Sequence, residues 1–360
     1  MNKKIIRITS VWVVFICAVI VGKQQLVDNG LQSKPLVSSS TNVPAADAFN
    51  LRIVSINVHN LFNGVVEPNN QVNFAKSRGA RTTRHYEQQK NAVLQGLTAL
   101  DADVFGLIEV ENDLHQANPV IQDLVDGLNQ YFDNKRSYQI AGVNAAQRIF
   151  GSDQITQFII YDQLKLNPVG PLRSEFTGGS NARNRRYLGR PTLMQGFETV
   201  PESHSDTPEK QQFYVAVSHL KSKRGGCPQD KTSQSPCNSR RQLQVEEYTA
   251  WISQHIGSNG IIWLGDFNAM PHESPVQWIL AQGYQSPLNL KSDYSYIYRG
   301  HQQLIDYALI KNMNIATVNA RIWHVNTRSG DERYQQQADF PNIRPAMRSF
   351  SDHDAVVLDL

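Results

Sequence analysis

The stretch Ile261-Ile262-Trp263-Leu264-Gly265-Asp266-Phe267-Asn268-Ala269-Met270-Pro271 constrains the fold more than any other part of the chain. Four large apolar residues in a row, two of them β-branched, fit a strand covered on both faces. Gly265 permits a sharp departure from the sheet. Asp266 and Asn268 then fall at the strand's carboxyl end, where a rigid scaffold can hold polar groups open to solvent. An Asp/Asn turn that merely closes a strand uses the same residues, so the rest of the chain must decide between the two.

Similar strands recur. Leu51–Val58 alternates and then becomes continuously apolar, with Asn57 near its end. A polar loop with Lys76, Arg78, Arg81 and Arg84 follows, then a helix over Tyr86–Leu100 whose apolar positions share one face. Val104–Ile108 is the next buried strand, and Glu109 emerges from its end. Helices are expected over Pro119–Tyr131, Arg241–Ile256 and Pro275–Gln282. Further strands are expected over Ile155–Tyr161, Phe213–Val217 (running into Ser218-His219), Leu304–Ile310 with Asp306 in its middle, and Ala355–Leu360 just after Asp352-His353. Strands and helices mix without strict alternation, which points to a layered sandwich with sheets inside and helices outside.

With 40% hydrophobic and 19% charged residues among 360, the chain can bury a full core. Its net charge of +3 comes entirely from Lys3, Lys4 and Arg7. Everything after residue 22 is formally neutral, which is not the profile of a tight, non-specific polyanion binder. Residues 1–22, basic and then apolar, have the layout of an export signal or an uncleaved anchor, with a buried helix as the alternative. Cys17 lies there in a poor lipoprotein context. Residues 23–48 form a polar linker, and 49–360 form one domain. Cys227 and Cys237 share a short polar loop; in an exported chain they are expected to pair, contributing roughly 2–3 kcal/mol. A metal-binding pair is the weaker alternative, since no His lies in the loop.

Most of these strand ends carry a polar group: Asn57, Glu109, His219, Asp266, Asn268 and the pair Asp352-His353. Each alone has a structural explanation, and a lone His is more often structural than catalytic. Together they supply hard oxygen ligands for a divalent cation, two imidazoles for acid–base work and carboxamides for phosphate oxygens. Zinc-type Cys/His spacing, a nucleophile elbow and a phosphate-cradling glycine loop are absent.

Six motifs in order carry a family resemblance: Ser55-Ile56-Asn57-Val58, Asp101 to Asn112, Ser218-His219-Leu220-Lys221-Ser222, Gly265-Asp266-Phe267-Asn268, Ile305-Asp306-Tyr307 and Ser351-Asp352-His353. Over residues 51–360 the chain resembles the endonuclease/exonuclease/phosphatase superfamily, and within it the bacterial secreted nucleases. The resemblance implies an α/β fold, a four-layer α/β/β/α sandwich of two mostly antiparallel sheets flanked by helices. By matching motif it implies Glu109 as the main divalent-metal ligand, helped by Asn57 and Asp352. Asp306 would orient His353, and that pair with Asp266 would activate water. Asn268 would hold the scissile phosphate, and His219 would stabilise or protonate the departing oxygen. Asp153 would support His219, with a loop cap as the equal alternative.

The expected function is therefore an exported, Mg²⁺-dependent phosphodiesterase, with Mn²⁺ or Ca²⁺ as other ions, cutting DNA and as a second substrate RNA. It is expected to act as a monomer with no obligate protein partner. Arg183, Arg185, Arg186 and Arg190, in a loop between Gln163 and Phe197, and Lys221 and Arg240, flanking the cysteine loop, are the candidate phosphate contacts; a solvated loop is the alternative for the first group. No aromatic stacking platform stands out, nor an aromatic–aliphatic hairpin that would dip into a membrane. A lipid phosphodiesterase and a non-catalytic binding module on the same fold are the competing functions.

Overall fold

The computed structural model describes residues 50–66, 71–116, 118–142, 151–177, 190–201, 210–224, 227, 234–327 and 350–360. The export segment, the linker and Arg183, Arg185 and Arg186 lie outside the described residues. In chain order the first elements are β1 (Arg52–Leu61), the ribbon strands β2 (Val65–Val66) and β3 (Gln71–Val72), α1 (Thr83–Leu100), β4 (Val104–Glu111) and α2 (Val120–Phe132). Next come β5 (Tyr138–Ile140), β6 (Ile155–Asp162), β7 (Leu166–Glu175), β8 (Thr192–Thr199), β9 (Gln212–His219) and α3 (Asn238–Ile256). The rest are β10 (Gly260–Asp266), α4 (Ser274–Ala281), β11 (Tyr296–Tyr298), β12 (His301–Gln303), β13 (Asp306–Lys311), β14 (Asn319–Trp323) and β15 (Ala355–Asp359).

Two sheets hold the core, ordered β14-β15-β1-β4-β6-β5 and β13-β10-β9-β8-β7. Each contains one parallel pair, β1/β4 and β9/β10, and the other neighbours are antiparallel. Parallel neighbours need a crossover, and α1 and α3 provide them. This topology decides where chemistry can sit. Parallel strands finish on the same side, so β1 and β4 end together and so do β9 and β10. The antiparallel partners β15, β13, β6 and β8 begin at those same ends. Every strand-end polar group named above is thereby delivered to one rim.

The sheets face each other across a single hydrophobic cluster that also takes in the helices. A methyl group on Gly106 of β4 would stand 2.9 Å from both Leu264 and Val217 of the opposite sheet. Fully burying side chains such as these contributes about 1.5–3 kcal/mol each. α1 buries Tyr86, Val93, Leu97 and Leu100; α2 buries Val120, Ile121, Leu124, Val125 and Leu128. At the far end of β6, Arg136 ties three carboxylates together: it donates to the partly exposed Asp101 at 2.8 Å, to the buried Asp162 at 3.2 Å and, closer still, to the buried Asp103. Among the described residues no helix is long and apolar enough to cross a membrane.

The sequence-derived elements need four corrections. The segment between Gln163 and Phe197 is not mainly loop, because β7 and β8 fill both its ends; Pro168 and Pro171 conceal β7, which tolerates them as an edge strand. α1 starts at Thr83 because the Thr82 hydroxyl accepts from His85 N at 3.1 Å. Asp306 opens its strand instead of lying in the middle, since its pairing with β10 begins at Asp266. Gly265 does not turn the chain: it stays in β10, with φ 152°, and a Cβ there would meet Ser218 O at 2.0 Å. The glycine permits close approach of two backbones.

Candidate active site

Where β1 and β4 lie side by side, both leave regular pairing at the same level. The register slips between Asn57 and Leu61 on one strand and between Ile108 and Val110 on the other. Glu109 sits in that slip with φ 65°, opposite His59 and Asn60 at 58° and 50°. A bulge lifts a side chain out of the ladder and re-aims it. Left-handed backbone at a non-glycine residue costs about 1–3 kcal/mol, so the packed sheets must hold it there. Glu109 Oε2 accepts from Asn60 N at 3.1 Å, and Oε1 faces His219 Nε2 at 3.8 Å.

The second sheet delivers the other half. His219 and Asp266 are paired on the last rung of β9 and β10, and His219 Nε2 lies 3.5 Å from Asp266 Oδ2. Asp306 is the partner of Asp266 across β13. Its Oδ2 accepts from His353 Nδ1 at 2.8 Å and from Ser295 Oγ at 2.7 Å. His353 Nε2 then stands 3.9 Å from Asp266 Oδ2. Asn57 Nδ2 approaches the same oxygen at 3.4 Å, and Asn268 N donates to Asp266 Oδ1 at 2.9 Å. Asp266 is the hub: one carboxylate joins Glu109 and His219 on one side to the His353–Asp306 pair on the other.

Burial sets the charges. It pushes the Asp266 carboxyl up to about 7, with the His353 cation working against it and Asp306 and Glu109 adding to it. Burial alone would lower His353, but the carboxylates of Asp306 and Asp266 outweigh it and carry the imidazole up to about 10. His219 goes the other way: burial first, then the cations Arg190, His353, Arg78 and Lys221, hold it well below the usual histidine range. It is therefore neutral at pH 7. Its Nε2 faces two carboxylates and its buried Nδ1 meets no partner among the described residues, so the single proton belongs on Nε2. His219 is a hydrogen-bond donor aimed into the site.

Glu109, His219 and Asp266 each offer a ligand atom, all within 4.8 Å of one another; Asp266, Asp306 and His353 form a second such group. The second is closed by its own His353–Asp306 bond. The first brings two hard carboxylate oxygens together, which fit Mg²⁺ or Mn²⁺, with the protonated Nε2 of His219 as a donor beside them. Of the expected carboxylate ligands Glu109 and Asp352, only Glu109 belongs to such a group among the described residues. Asn57 Oδ1 accepts from His59 N at 2.9 Å, turning its amide toward Asp266. Asp352 is half exposed, pairs with His59 Nδ1 at 3.2 Å and stands 4.0 Å from His353 Nε2.

The basic residues are mostly committed elsewhere. Arg190 donates to the carbonyls of His219 at 3.2 Å and Leu220 at 3.0 Å, and to Asp153 at 2.9 Å. It fixes the end of β9 and is not a free phosphate contact. Of its two expected roles, Asp153 takes the loop cap and does not pair with His219: its other oxygen accepts from Gln154 N at 2.8 Å and from Arg78 at 2.9 Å. Guanidinium forks outcompeted the imidazole because β6 and β8 both begin at this rim. The Lys221 ammonium is bound by the carbonyls of Ser222 at 3.0 Å and Arg224 at 2.5 Å. Arg240 is partly exposed near the start of α3. Cys227 and Cys237 form a disulfide, which sits against the first residue of that helix. Ser295 also accepts from Ile305 N and Asp306 N; a serine between two tyrosines gives no signal of that role in the sequence.

The profile of the endonuclease/exonuclease/phosphatase family matches residues 54–353. No curated protein sequence matches the chain. Among solved structures, the human Nocturnin catalytic domain with bound sulfate aligns with TM-score 0.51 and 18% identity, over 86% of this chain and 93% of that one. An endonuclease/exonuclease/phosphatase from Bacteroides vulgatus gives TM-score 0.51 and 12% identity over 86% and 97%. The Bacteroides thetaiotaomicron mannosyl-6-phosphatase gives 0.50 and 15% over 86% and 98%. These likenesses extend to the whole two-sheet body, and with the family profile they place the chain: it belongs to the endonuclease/exonuclease/phosphatase family.

Proposed function

We propose that the protein is an exported, divalent-metal-dependent nuclease that hydrolyses phosphodiester bonds of DNA, and of RNA as a second substrate, by in-line attack of water. One observation carries this reading: Asp266 stands at once beside the Glu109–His219 pair and the His353–Asp306 pair. Export rests on the basic-then-apolar residues 1–22, and the Cys227–Cys237 disulfide suits an oxidising compartment.

Each residue has work that its surroundings suit. Asp266, with its raised affinity for a proton, takes the proton of the attacking water. Asp306 fixes the His353 ring through Nδ1 and leaves Nε2 facing the reaction centre. Asn268 uses one amide hydrogen on Leu220 O, 3.3 Å away, and has a second for a phosphate oxygen. His219, neutral and protonated on Nε2, donates to the oxygen where charge develops; this favours stabilising that oxygen over protonating it. Glu109 and Asp266 would hold the cation through their carboxylates, its chemistry being to neutralise charge on the phosphate oxygens; His219, whose Nε2 carries the proton, donates and does not ligate.

The test uses purified protein with Mg²⁺ on supercoiled plasmid, sphingomyelin vesicles and p-nitrophenyl phosphate, with EDTA controls. Plasmid nicking that EDTA abolishes is expected. Hydrolysis confined to the lipid or the phosphomonoester would overturn the nuclease reading, and no hydrolysis of any would favour a binding module.

A further inference from the structure

Beside His353 stands a hairpin that the sequence did not reveal as a site. β11 and β12 pair Tyr296 with Gln303, Ile297 with Gln302 and Tyr298 with His301. Arg299-Gly300 makes the two-residue turn, with φ 50° and 81°, as a tight hairpin turn requires. Arginine is an uncomfortable residue at the first of these positions, where Asn or Gly fits without strain.

The hairpin is fixed to the site. Tyr296 forms a backbone bridge with His353, and its ring packs on the imidazole with centroids 4.6 Å apart. Ser295 O accepts from Asp354 N at 2.8 Å, so both strands of this contact share one frame. From there two aromatic rings lead outward. Tyr298 lies nearly parallel to Tyr296, 15° between planes and 6.5 Å between centroids. Tyr298 and its neighbour Ile297 are each 37% exposed, among the few large apolar side chains left open on the described surface. The Arg299 guanidinium sits over the Tyr298 ring at 5.3 Å and has no carboxylate partner among the described residues. The charge of Arg224, exposed on the loop after β9, is felt here: burial and then Asp352 raise the Tyr296 hydroxyl, and Arg224 works against them.

We propose that the Tyr296–Tyr298 hairpin is a stacking platform for an unpaired base next to the scissile phosphate, so that the enzyme favours single-stranded or frayed nucleic acid. This rests on the nuclease reading of the site. Exposed aromatic faces take any base, because every base has a π-face, and neighbouring cations take the backbone phosphates. Within a duplex both faces of a base are already covered by its neighbours, so an intact duplex offers this platform nothing. The exposed rings, with Arg299 over one of them and the charge of Arg224 felt there, match a polyanion with aromatic groups. A zwitterionic lipid surface carries no net negative charge to draw both guanidinium groups, and no base for the rings to stack on.

The test compares kcat/KM of the full chain with Mg²⁺ on a labelled single strand, its duplex, and an equal-length strand of abasic tetrahydrofuran units. Tyr298→Ala is expected to lower kcat/KM on the base-bearing strand about 10-fold and to leave the abasic strand unchanged, with Tyr298→Phe close to the parent. Equal effects on both strands, or no effect on either, overturn the proposal while leaving the nuclease reading standing. Failure of the parent protein to cut any strand overturns both. Loss of binding to phosphatidylcholine–sphingomyelin vesicles in Tyr298→Ala, with oligonucleotide kinetics unchanged, assigns the hairpin to a membrane and also overturns it.

Discussion

Replacing Glu109 by Gln separates the cation from the fold. The Gln oxygen can still accept from Asn60 N, the bond that Glu109 Oε2 makes at 3.1 Å. The bulge therefore survives, and only the charge facing His219 and Asp266 is lost. A direct ligand lost should weaken the cation by about 100-fold or more, given the 10–100-fold cost of losing even its supporting groups. At Mg²⁺ one hundred times the parent's dissociation constant, the parent gains about 2.7 kcal/mol and the variant about 0.4. A body the size of Ala46–Leu360 unfolds with an entropy of about 0.65 kcal/mol/K. The expected Tm rise is about 4 °C for the parent and under about 1 °C for the variant. Without metal the variant should be at least as stable as the parent, because Glu109 is one of the charges that burdens Asp266. Differential scanning calorimetry with Mg²⁺ or EDTA measures both. Equal Tm rises in the two proteins would refute the placement of the cation, and a much less stable metal-free variant would refute the reasoning about repulsion.

Three further outcomes follow from other parts of the structure. Arg136→Met strands the buried Asp103 and Asp162, which costs about 3–5 kcal/mol and about 5–8 °C in Tm; the deficit should shrink on acidification, since protonated carboxyls need no cation. Asp113, raised to about 8 by burial and then by the Glu111 charge, keeps a proton that the unfolded chain loses near pH 4. Its stabilising contribution is present below that pH and is lost as pH rises toward 8. Asp113→Asn should therefore match the parent in urea melts at pH 4 and exceed it at pH 9, by at most about 5 kcal/mol. Asp306→Asn should lower kcat about 10²–10⁴-fold with little change in fold, and NMR of the metal-free protein should show His353 titrating below the parent's value of about 10.

What was legible in the sequence was whatever lay at the end of a buried apolar run. His219 and Asp266 close their strands and Glu109 comes straight after an apolar run, although β4 continues past it through a bulge to Glu111, and parallel pairing brings these positions together. Pairing partners were less legible. Asp153 chose Arg78 and Arg190, and Arg190 turned inward to two carbonyls, because those choices depend on which strands begin at the rim. Nothing local in the chain records that. The bulge that aims Glu109 and the left-handed turn at Arg299 were hidden for the same reason: neither position carries the glycine or asparagine that would announce it. β7 was concealed by prolines that only an edge strand accommodates. The aromatic hairpin escaped because Tyr-Ile-Tyr is ordinary strand composition, and only its contact with His353 gives it meaning.

The account depends on Asp266 serving both halves of the site at once. The most direct measurement is kcat for Mg²⁺-dependent nicking of supercoiled plasmid by the parent and by Asp266→Asn, with equal folding checked by calorimetry. A fall of at least about 10³-fold is predicted. A variant within tenfold of the parent would contradict it.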